Sequence, residues 1–314
     1  MTKSPARIVA LLGPQRFEPT LGRVMDSLGM NGRIAAITAG WQEREREDQE
    51  LHDHLDERTV NLELYARAER VAAGDPELAA AHRERQQRLK RLQRLYRMRL
   101  EHGMAACAAL AREPAGDPDA RGELGEAIEL VRALDEAHLA RIREIHAAFE
   151  ARWNSDERDA VRREREEIAK VLDDSTAVAI AGGHVAVLLN RLRQFGIASL
   201  LGGRAVFAWS AGAMAISERV VLFHDMPMHG AGWPEVLDEG LAVVKGVVPL
   251  PHAHRRLKLD DDVRVSLMAR RFAPAMCAAL DDGASLVVQP GGWWAGPGAH
   301  RLTVAGAVQP LEAA

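Results

Sequence analysis

The chain has 314 residues, of which 47% are hydrophobic and 27% charged, and its formal net charge is -4. This composition is typical of a globular protein with one large or two smaller domains, and the charge gives no reason to expect nucleic acid as a partner. Two isolated cysteines, Cys107 and Cys277, argue against a disulfide framework, so we expect a reducing, cytoplasmic environment.

The first block of the chain predicts an α/β pattern. The apolar runs Ile8–Leu12 and Arg33–Thr38 are typical of buried strands, and residues 19–30 suit a helix between them. We predict a third strand over Val60–Tyr65. The first apolar run is too short for a signal peptide or a membrane span, so we expect no membrane partner.

Residues 75–172 differ in composition, because Arg and Glu become dense and apolar residues fall at helical spacing. Asp75 followed by Pro76 predicts the start of a long helix, and Pro114–Pro118 should end it. A second long helix should pack on the first like a coiled coil, followed by a third after Asn154. We predict a helical hairpin or bundle over 75–172, inserted into an α/β domain made of residues 1–74 and 173–314.

Two polar features of this helical block allow more than one interpretation. Asp135 and His138 share its apolar seam, and we favour a register-fixing polar pair over a metal site, because other ligands are missing. Residues 83–101 contain eight Lys or Arg and two Glu. Such a helix can bind nucleic acid, but we favour a solvated face or pairing with acidic neighbours. The available acids are Glu123, Glu126, Glu129, Asp135 and Glu136.

After residue 176 the α/β pattern returns. Ala177–Ala181 and Arg204–Trp209 predict buried strands, and each is followed by small residues and a helix. Strands that alternate with helices indicate a mainly parallel sheet that is covered on both faces, which is a three-layer α/β fold. Active sites in such sheets lie beyond the carboxyl ends of the strands, where Gly183 and Ser210 are expected.

Ser210 stands between an apolar strand and an alanine-rich helix, which is the pattern of a nucleophile elbow. The alternative is an ordinary helix N-cap. A serine nucleophile needs a base, and the C-terminal third offers histidines for this role. They are His224, His229, His252, His254 and His300. We favour His252, which ends the strand-like run after Gly246, with His254 as the second candidate.

Four segments of the chain resemble the peptidase E and cyanophycinase group of serine peptidases, whose fold is like that of class I glutamine amidotransferases. They are Gly182–Leu189, Ala208–Ala213, His224–Pro227 and Leu241–His252. The resemblance covers residues 6–42 and 176–310, and it does not cover the helical block.

The resemblance implies roles for individual residues. Ser210 would be the nucleophile and His252 the general base, while Gly183 and the backbone N–H of Ala211 would form the oxyanion hole. The resemblance also implies that Asp225 shapes the substrate pocket or supports the site. Apart from the resemblance, we expect His184 and His254 among the substrate-binding residues. Trp209 could line the substrate cleft, although core packing explains it equally well.

The chain departs from the family pattern in its third catalytic group. The family places a glutamate beyond the histidine, whereas residues 280–293 contain none. Gln289 stands close to the expected place, and Asp282 could replace the acid from a shifted position. Ala208 and His184 also stand where the family has glycine and asparagine.

We therefore expect a serine hydrolase that cleaves a peptide or isopeptide amide in a small substrate, without a metal or an organic cofactor. The helical block should cover the cleft or form a homodimer interface. The alternative is a catalytically weakened family member that acts as a binding or assembly protein. Glutamine-dependent amide transfer is disfavoured, because those enzymes place cysteine at the elbow.

Overall fold

The structure, a computed structural model, describes residues 7–114, 116–225 and 232–311. The strands, in chain order, are β1 (Val9–Leu12), β2 (Ile34–Ile37), β3 (Thr59–Asn61), β4 (Ala177–Ile180), β5 (Ala205–Trp209), β6 (Arg219–Leu222), β7 (Glu235–Glu239), β8 (Val247–Pro251), β9 (Met276–Leu280), β10 (Ser285–Gln289), β11 (Gly292–Ala295), β12 (Ala299–Leu302) and β13 (Val308–Pro310). The α-helices are α1 (Leu21–Ser27), α2 (Gln49–His54), α3 (Leu64–Gly74), α4 (Pro76–Leu110), α5 (Pro118–Trp153), α6 (Asp159–Asp173), α7 (Val185–Gln194), α8 (Ile197–Leu200), α9 (Ala211–Ile216), α10 (Ala253–Arg256) and α11 (Asp262–Phe272).

A seven-stranded sheet in the order β11-β10-β1-β5-β4-β2-β3 forms the centre of the α/β region. The five strands from β1 to β3 in this order are parallel, while β10 pairs antiparallel with β1, and β11 with β10. Every residue of β1, β2, β4 and β5 is buried, which explains why these strands are continuous apolar runs.

The two faces of this sheet belong to two separate hydrophobic clusters. In β1, Ala10 and Leu12 pack with α1, whereas Val9 and Leu11 join a larger cluster that includes residues of α3, α7 and α9. Successive side chains of a strand point to opposite faces, so each face is covered by its own layer of helices. The prediction of a three-layer α/β fold with a mainly parallel sheet and a long helical region is confirmed.

A second, four-stranded sheet has the order β13-β12-β9-β8, in which β8 and β9 run parallel. Because β9 belongs to this sheet and β10 to the central one, the turn at residues 281–284 joins the two sheets. The backbone N–H of Gly13, just beyond β1, donates to the carbonyl of Ala284 at 2.8 Å. The turn therefore lies at the carboxyl-end edge of the central sheet.

The two long helices α4 and α5 form an antiparallel hairpin, hereafter the hairpin. Asp75 caps α4 by accepting a hydrogen bond from the Leu78 backbone N–H at 3.0 Å, as its sequence predicts. Across the hairpin, the Tyr96 hydroxyl donates to Asp135 at 2.7 Å, and Gln93 contacts His138 at 2.8 Å. None of the described helices combines the length and the apolar character needed to cross a bilayer.

The seam residues Asp135 and His138 are both buried, but they bind different partners instead of forming a pair. Asp135 accepts two hydrogen bonds from Arg271 of α11, both at 2.7 Å, in addition to the bond from Tyr96. His138 binds Gln93. The polar seam thus connects the hairpin to the α/β region, because Arg271 comes from a distant part of the chain.

Sequence reasoning overextended one strand. The predicted strand over residues 60–65 ends in the structure at Asn61, and Glu63 adopts a left-handed conformation with φ 49° before α3 begins at Leu64. The apolar residues of this segment continue into a helix, which periodicity over six residues does not distinguish from a strand.

Candidate active site

Ser210 occupies a sharp turn between β5 and α9. Its φ of 50° and ψ of -122° lie in a region that residues other than glycine rarely adopt, and its side chain is half-buried. The neighbouring backbone leaves no room for larger side chains. A Cβ atom on Gly182 would lie 2.7 Å from the Ser210 Cβ, and one on Gly212 would lie 2.3 Å from the Ile180 carbonyl oxygen. Because the backbone segments around Ser210 approach each other this closely, only small residues fit beside it.

The Gly182–Gly183 turn lies directly against the serine. A Cβ atom built on Gly182 would be 3.5 Å from both Ser210 Oγ and the backbone nitrogen of Ala211. Gly183 has φ 104°, and a Cβ there would lie 2.3 Å from the Gly40 carbonyl oxygen. As the first residue of α9, Ala211 has an N–H group without an intrahelical acceptor. The two segments expected to supply oxyanion donors therefore flank the Ser210 hydroxyl.

His252 reaches the same place from the second sheet. It follows β8 in a left-handed conformation with φ 57°, and its Nε2 lies 3.5 Å from Ser210 Oγ. Catalytic hydrogen bonds without substrate are often longer than the usual range of about 2.6–3.2 Å. Since Nε2 faces the serine, the opposite ring nitrogen is the one that an orienting acid would bind.

Burial and nearby cations control the protonation of this imidazole. Desolvation is the largest effect and lowers the pKa of His252 below its usual value, and Arg256 lowers it further. Asp282 opposes this shift. A lowered pKa keeps the imidazole unprotonated near neutral pH, which is the form that a general base requires.

The structure separates the two residues considered for the third catalytic group. Asp282 lies in the turn between β9 and β10, and its charge acts on His252. Its Oδ1 atom is buried and has no hydrogen-bond partner among the described residues, while Oδ2 lies 3.7 Å from Arg255 Nη2. A buried carboxylate oxygen without a donor costs free energy, so it is an available acceptor beside the histidine.

The assignment of Gln289 to this role is wrong. Strand β10 runs antiparallel to β1, so Ser285 pairs with Leu12 at the site edge and Val288 pairs with Val9. Gln289 follows Val288 and is exposed at the opposite edge of the sheet. With a rise of about 3.3 Å per residue, the four residues from Ser285 carry the chain roughly 13 Å away from the site.

Two of the substrate-binding candidates make structural contacts. Trp209 is buried in the cluster of the α1 face, which favours core packing over a place in the substrate cleft. Asp225 is also buried, and its carboxylate accepts hydrogen bonds from the Lys258 backbone N–H at 3.1 Å and from Arg264 Nε at 3.0 Å. Because its backbone N–H donates to the Arg256 carbonyl at 2.6 Å, Asp225 holds the segment that follows His252.

The other two substrate candidates lie at the rim. His184 is exposed and caps α7, since its Nδ1 accepts a hydrogen bond from the Val187 backbone N–H at 3.3 Å. His254 is exposed and pairs through Nδ1 with Asp281 at 2.6 Å. The Met226–Pro227 part of the family-like segment lies outside the described residues.

Sequence reasoning missed Asp281, Arg264 and Gly40 as parts of the site's support. Gly40 could have been found, because it follows the predicted strand at Arg33–Thr38 just as Gly182 follows the strand at Ala177–Ala181. The backbone N–H of His184 donates to the Gly40 carbonyl at 2.7 Å, so Gly40 holds the Gly182–Gly183 turn in place. The pairing of Arg264 with Asp225 spans 39 residues, and no local pattern indicates it.

Comparison with known proteins identifies one matching family. The sequence model of peptidase family S51 matches residues 132–293, which is just over half of the chain. A solved peptidase from an acI-B1 Actinobacterium is 16% identical, with 98% of this chain and 95% of that chain covered and a TM-score of 0.42. A peptidase E protein from Listeria monocytogenes EGD-e is 10% identical, with coverages of 93% and 98% and a TM-score of 0.45. No curated protein sequence matches the chain.

Proposed function

This chain belongs to peptidase family S51, and from that premise we propose that it hydrolyses a peptide or isopeptide amide through an acyl-enzyme on Ser210. The observation that carries the proposal is the approach of His252 Nε2 to Ser210 Oγ at 3.5 Å. The two groups come from different sheets and meet at one edge. A half-buried serine on a strained turn beside a histidine with a lowered pKa is suited to nucleophilic catalysis.

In the proposed first step, His252 Nε2 takes the proton of the Ser210 hydroxyl while Oγ bonds to the substrate carbonyl carbon. The carbonyl oxygen becomes an oxyanion that the N–H groups of Gly183 and Ala211 stabilise. The imidazolium then gives its proton to the amide nitrogen, the C–N bond breaks, and the amine leaves. A water molecule attacks the acyl-enzyme with the same proton transfers and releases the acid.

Asp282 is our candidate for the group that orients His252 and stabilises its charged form. Its unpartnered Oδ1 and the effect of its charge on the pKa of His252 support this choice, because an orienting acid accepts a hydrogen bond from the imidazole Nδ1–H. An aspartate has one methylene fewer than the family's glutamate. Its turn before β10 lies at the carboxyl-end edge of the central sheet, the edge at which Ser210 also lies.

The alternative, a weakened member that acts as a binding protein, is favoured by one observation. No hydrogen bond joins His252 to an acid in the described part of the chain, although Asp282 is close enough to affect its pKa. In that case Ser210 would be poorly activated, and the hairpin would be the working surface.

A fluorophosphonate probe, followed by mass mapping of the labelled peptide, separates the two functions. We expect labelling of Ser210 in the natural chain and its loss in Ser210→Ala. Ser199→Ala is the matched control, because Ser199 is exposed on α8 and its hydroxyl donates only to the Gly196 carbonyl. A folded natural chain that remains unlabelled, or label that persists in Ser210→Ala, would contradict the hydrolase proposal.

A further inference from the structure

The hairpin presents an apolar patch on its outer face. Among the described residues, three of the five exposed large hydrophobic side chains belong to it: Leu95 is 44% exposed, Met98 55% and Leu130 73%. At 100° per residue, Leu95 and Met98 lie roughly 200° and 140° around α4 from the buried Gln93. Leu130 lies roughly 200° around α5 from the buried Ile128. All three therefore point away from the α/β region.

Unpaired arginines of α4 and unpaired glutamates of α5 flank this patch. Arg88, Arg91 and Arg94 of α4 are exposed and have no ion-pair partner within the described ranges. Glu123 and Glu126 of α5 are exposed and equally unpaired there. The expected pairing of the basic helix with acids of its neighbour is therefore not formed within one chain by these residues. At the end of the hairpin that carries these arginines, α5 contributes Arg141 and Glu144. Their opposite charges leave the net charge of this end unchanged.

The positions of these charges follow a two-fold pattern. Tyr96 bonds Asp135 across the antiparallel hairpin, so Met98 is level with residue 133. Arg91 lies seven residues from Met98 towards one end of the hairpin, and Glu126 lies seven residues from position 133 towards the other. Both displacements are about 10.5 Å at 1.5 Å per residue. Arg88 and Glu123 lie ten residues from the same two positions, again towards opposite ends, which corresponds to about 15 Å each.

We propose that this face binds a second copy of the chain, with the two hairpins antiparallel about a two-fold axis near Met98. Each Arg91 then lies level with Glu126 on the neighbouring helix of the other copy, and each Arg88 lies level with Glu123. The apolar side chains Leu95, Met98 and Leu130 meet at the centre. Such a self-complementary surface is what an isologous dimer requires, whereas a polyanion would be repelled by the acidic half.

The size of the face is sufficient for a stable dimer. Two helices about 50 Å long and about 10 Å wide offer roughly 1,000 Å² per copy. Specific interfaces bury about 800 Å² per partner. Burial of the apolar centre would supply most of the affinity, while the charged ends would fix the antiparallel orientation.

Sedimentation velocity of the full chain at low salt tests the apolar centre. We expect a dimer for the natural chain and a monomer for Met98→Glu, because two carboxylates would meet near the axis. Arg23→Glu is the control, since Arg23 is exposed on α1, away from the hairpin, and should leave the dimer unchanged. Circular dichroism verifies that each variant remains folded.

Mixing charge-reversal variants tests the pairing itself. Arg91→Glu alone and Glu126→Arg alone should each weaken dimerisation by about tenfold or more, because like charges then oppose each other twice. An equimolar mixture of the two variants should recover the dimer, since every reversed residue then faces an opposite charge. Pairing within one chain cannot produce this recovery.

A natural chain that stays monomeric at low salt would overturn the proposal, whether or not it binds heparin as a polyanion. So would a dimer that Met98→Glu does not affect, or mixed variants that show no recovery. The proposal is independent of the proposed catalysis, because the monomeric variants should still label at Ser210 with the fluorophosphonate probe.

Discussion

Asp135 in the hairpin and Asp282 at the candidate site differ in how completely their carboxylates are hydrogen-bonded. Asp135 is 1% exposed and receives three hydrogen bonds, two from Arg271 and one from Tyr96. Asp282 is partly exposed, and its buried Oδ1 receives none among the described residues. A carboxylate whose oxygens are all hydrogen-bonded fixes the packing of distant segments, whereas one with an unpartnered oxygen can accept a further hydrogen bond.

The largest effect should come from the site. Asp282→Asn should lower kcat by about four orders of magnitude, as loss of the acid does in a related triad. Its free energy of unfolding should change by no more than about 0.5 kcal/mol, because no native hydrogen bond to Oδ1 is lost. Peptide hydrolysis assays and urea denaturation measure the two quantities. Gln289→Ala serves as the control, and if it were the more damaging change, our assignment of the acid would be wrong.

The reverse pattern is expected at the hairpin. Asp135→Asn leaves the Arg271 guanidinium buried without its counter-charge, which should cost about 3–5 kcal/mol of unfolding free energy. Equilibrium denaturation followed by circular dichroism measures this loss, with the exposed change Glu144→Gln as the control. Where folding persists, the rate of Ser210 labelling per folded molecule should be nearly unchanged. A stable Asp135→Asn variant would show that the seam network does not hold the hairpin in place.

The carboxylate of Asp225, paired with Arg264, has a structural role at the candidate site, because it holds the segment that follows the proposed base His252. Arg264→Met should leave Asp225 buried and unpaired, displace residues 252–258, and lower kcat by up to about 100-fold. Arg264→Lys, which keeps the charge but loses the two-pronged geometry, should recover part of that loss. The comparison is made at a temperature where both variants are folded. Equal activity of the Met variant and the natural chain would exclude this positioning role.

Local sequence predicted the elements whose burial is continuous. The strands at β1, β2, β4 and β5 are apolar on both faces, and the turn at Ser210 follows from small residues placed between a strand and a helix. The helix start at Asp75 also follows from local chemistry, because proline and a capping side chain act within one turn.

Our candidate for the third catalytic group could not be predicted in the same way. Asp282 and Gln289 are seven residues apart on one segment, and only the antiparallel direction of β10 decides which one reaches the site. Strand direction depends on pairing with β1, almost the whole chain away in sequence. The same limit applies to Arg271, which meets Asp135 across 136 residues.

The smallest predicted effect concerns the pKa of His252. Burial and Arg256 lower it, so the base should remain unprotonated, and kcat/KM constant, down to a pH below the usual value of about 6.5. Activity should fall only as the pH drops through the lowered pKa.

Removing the cation in Arg256→Gln should raise the pKa of His252 and move the acid limb of the pH–rate profile to higher pH. Arg23→Gln should not move it, since Arg23 is exposed on α1. A shift to lower pH in Arg256→Gln would mean that a group other than His252 titrates in this limb, because losing a neighbouring positive charge can only favour the imidazolium.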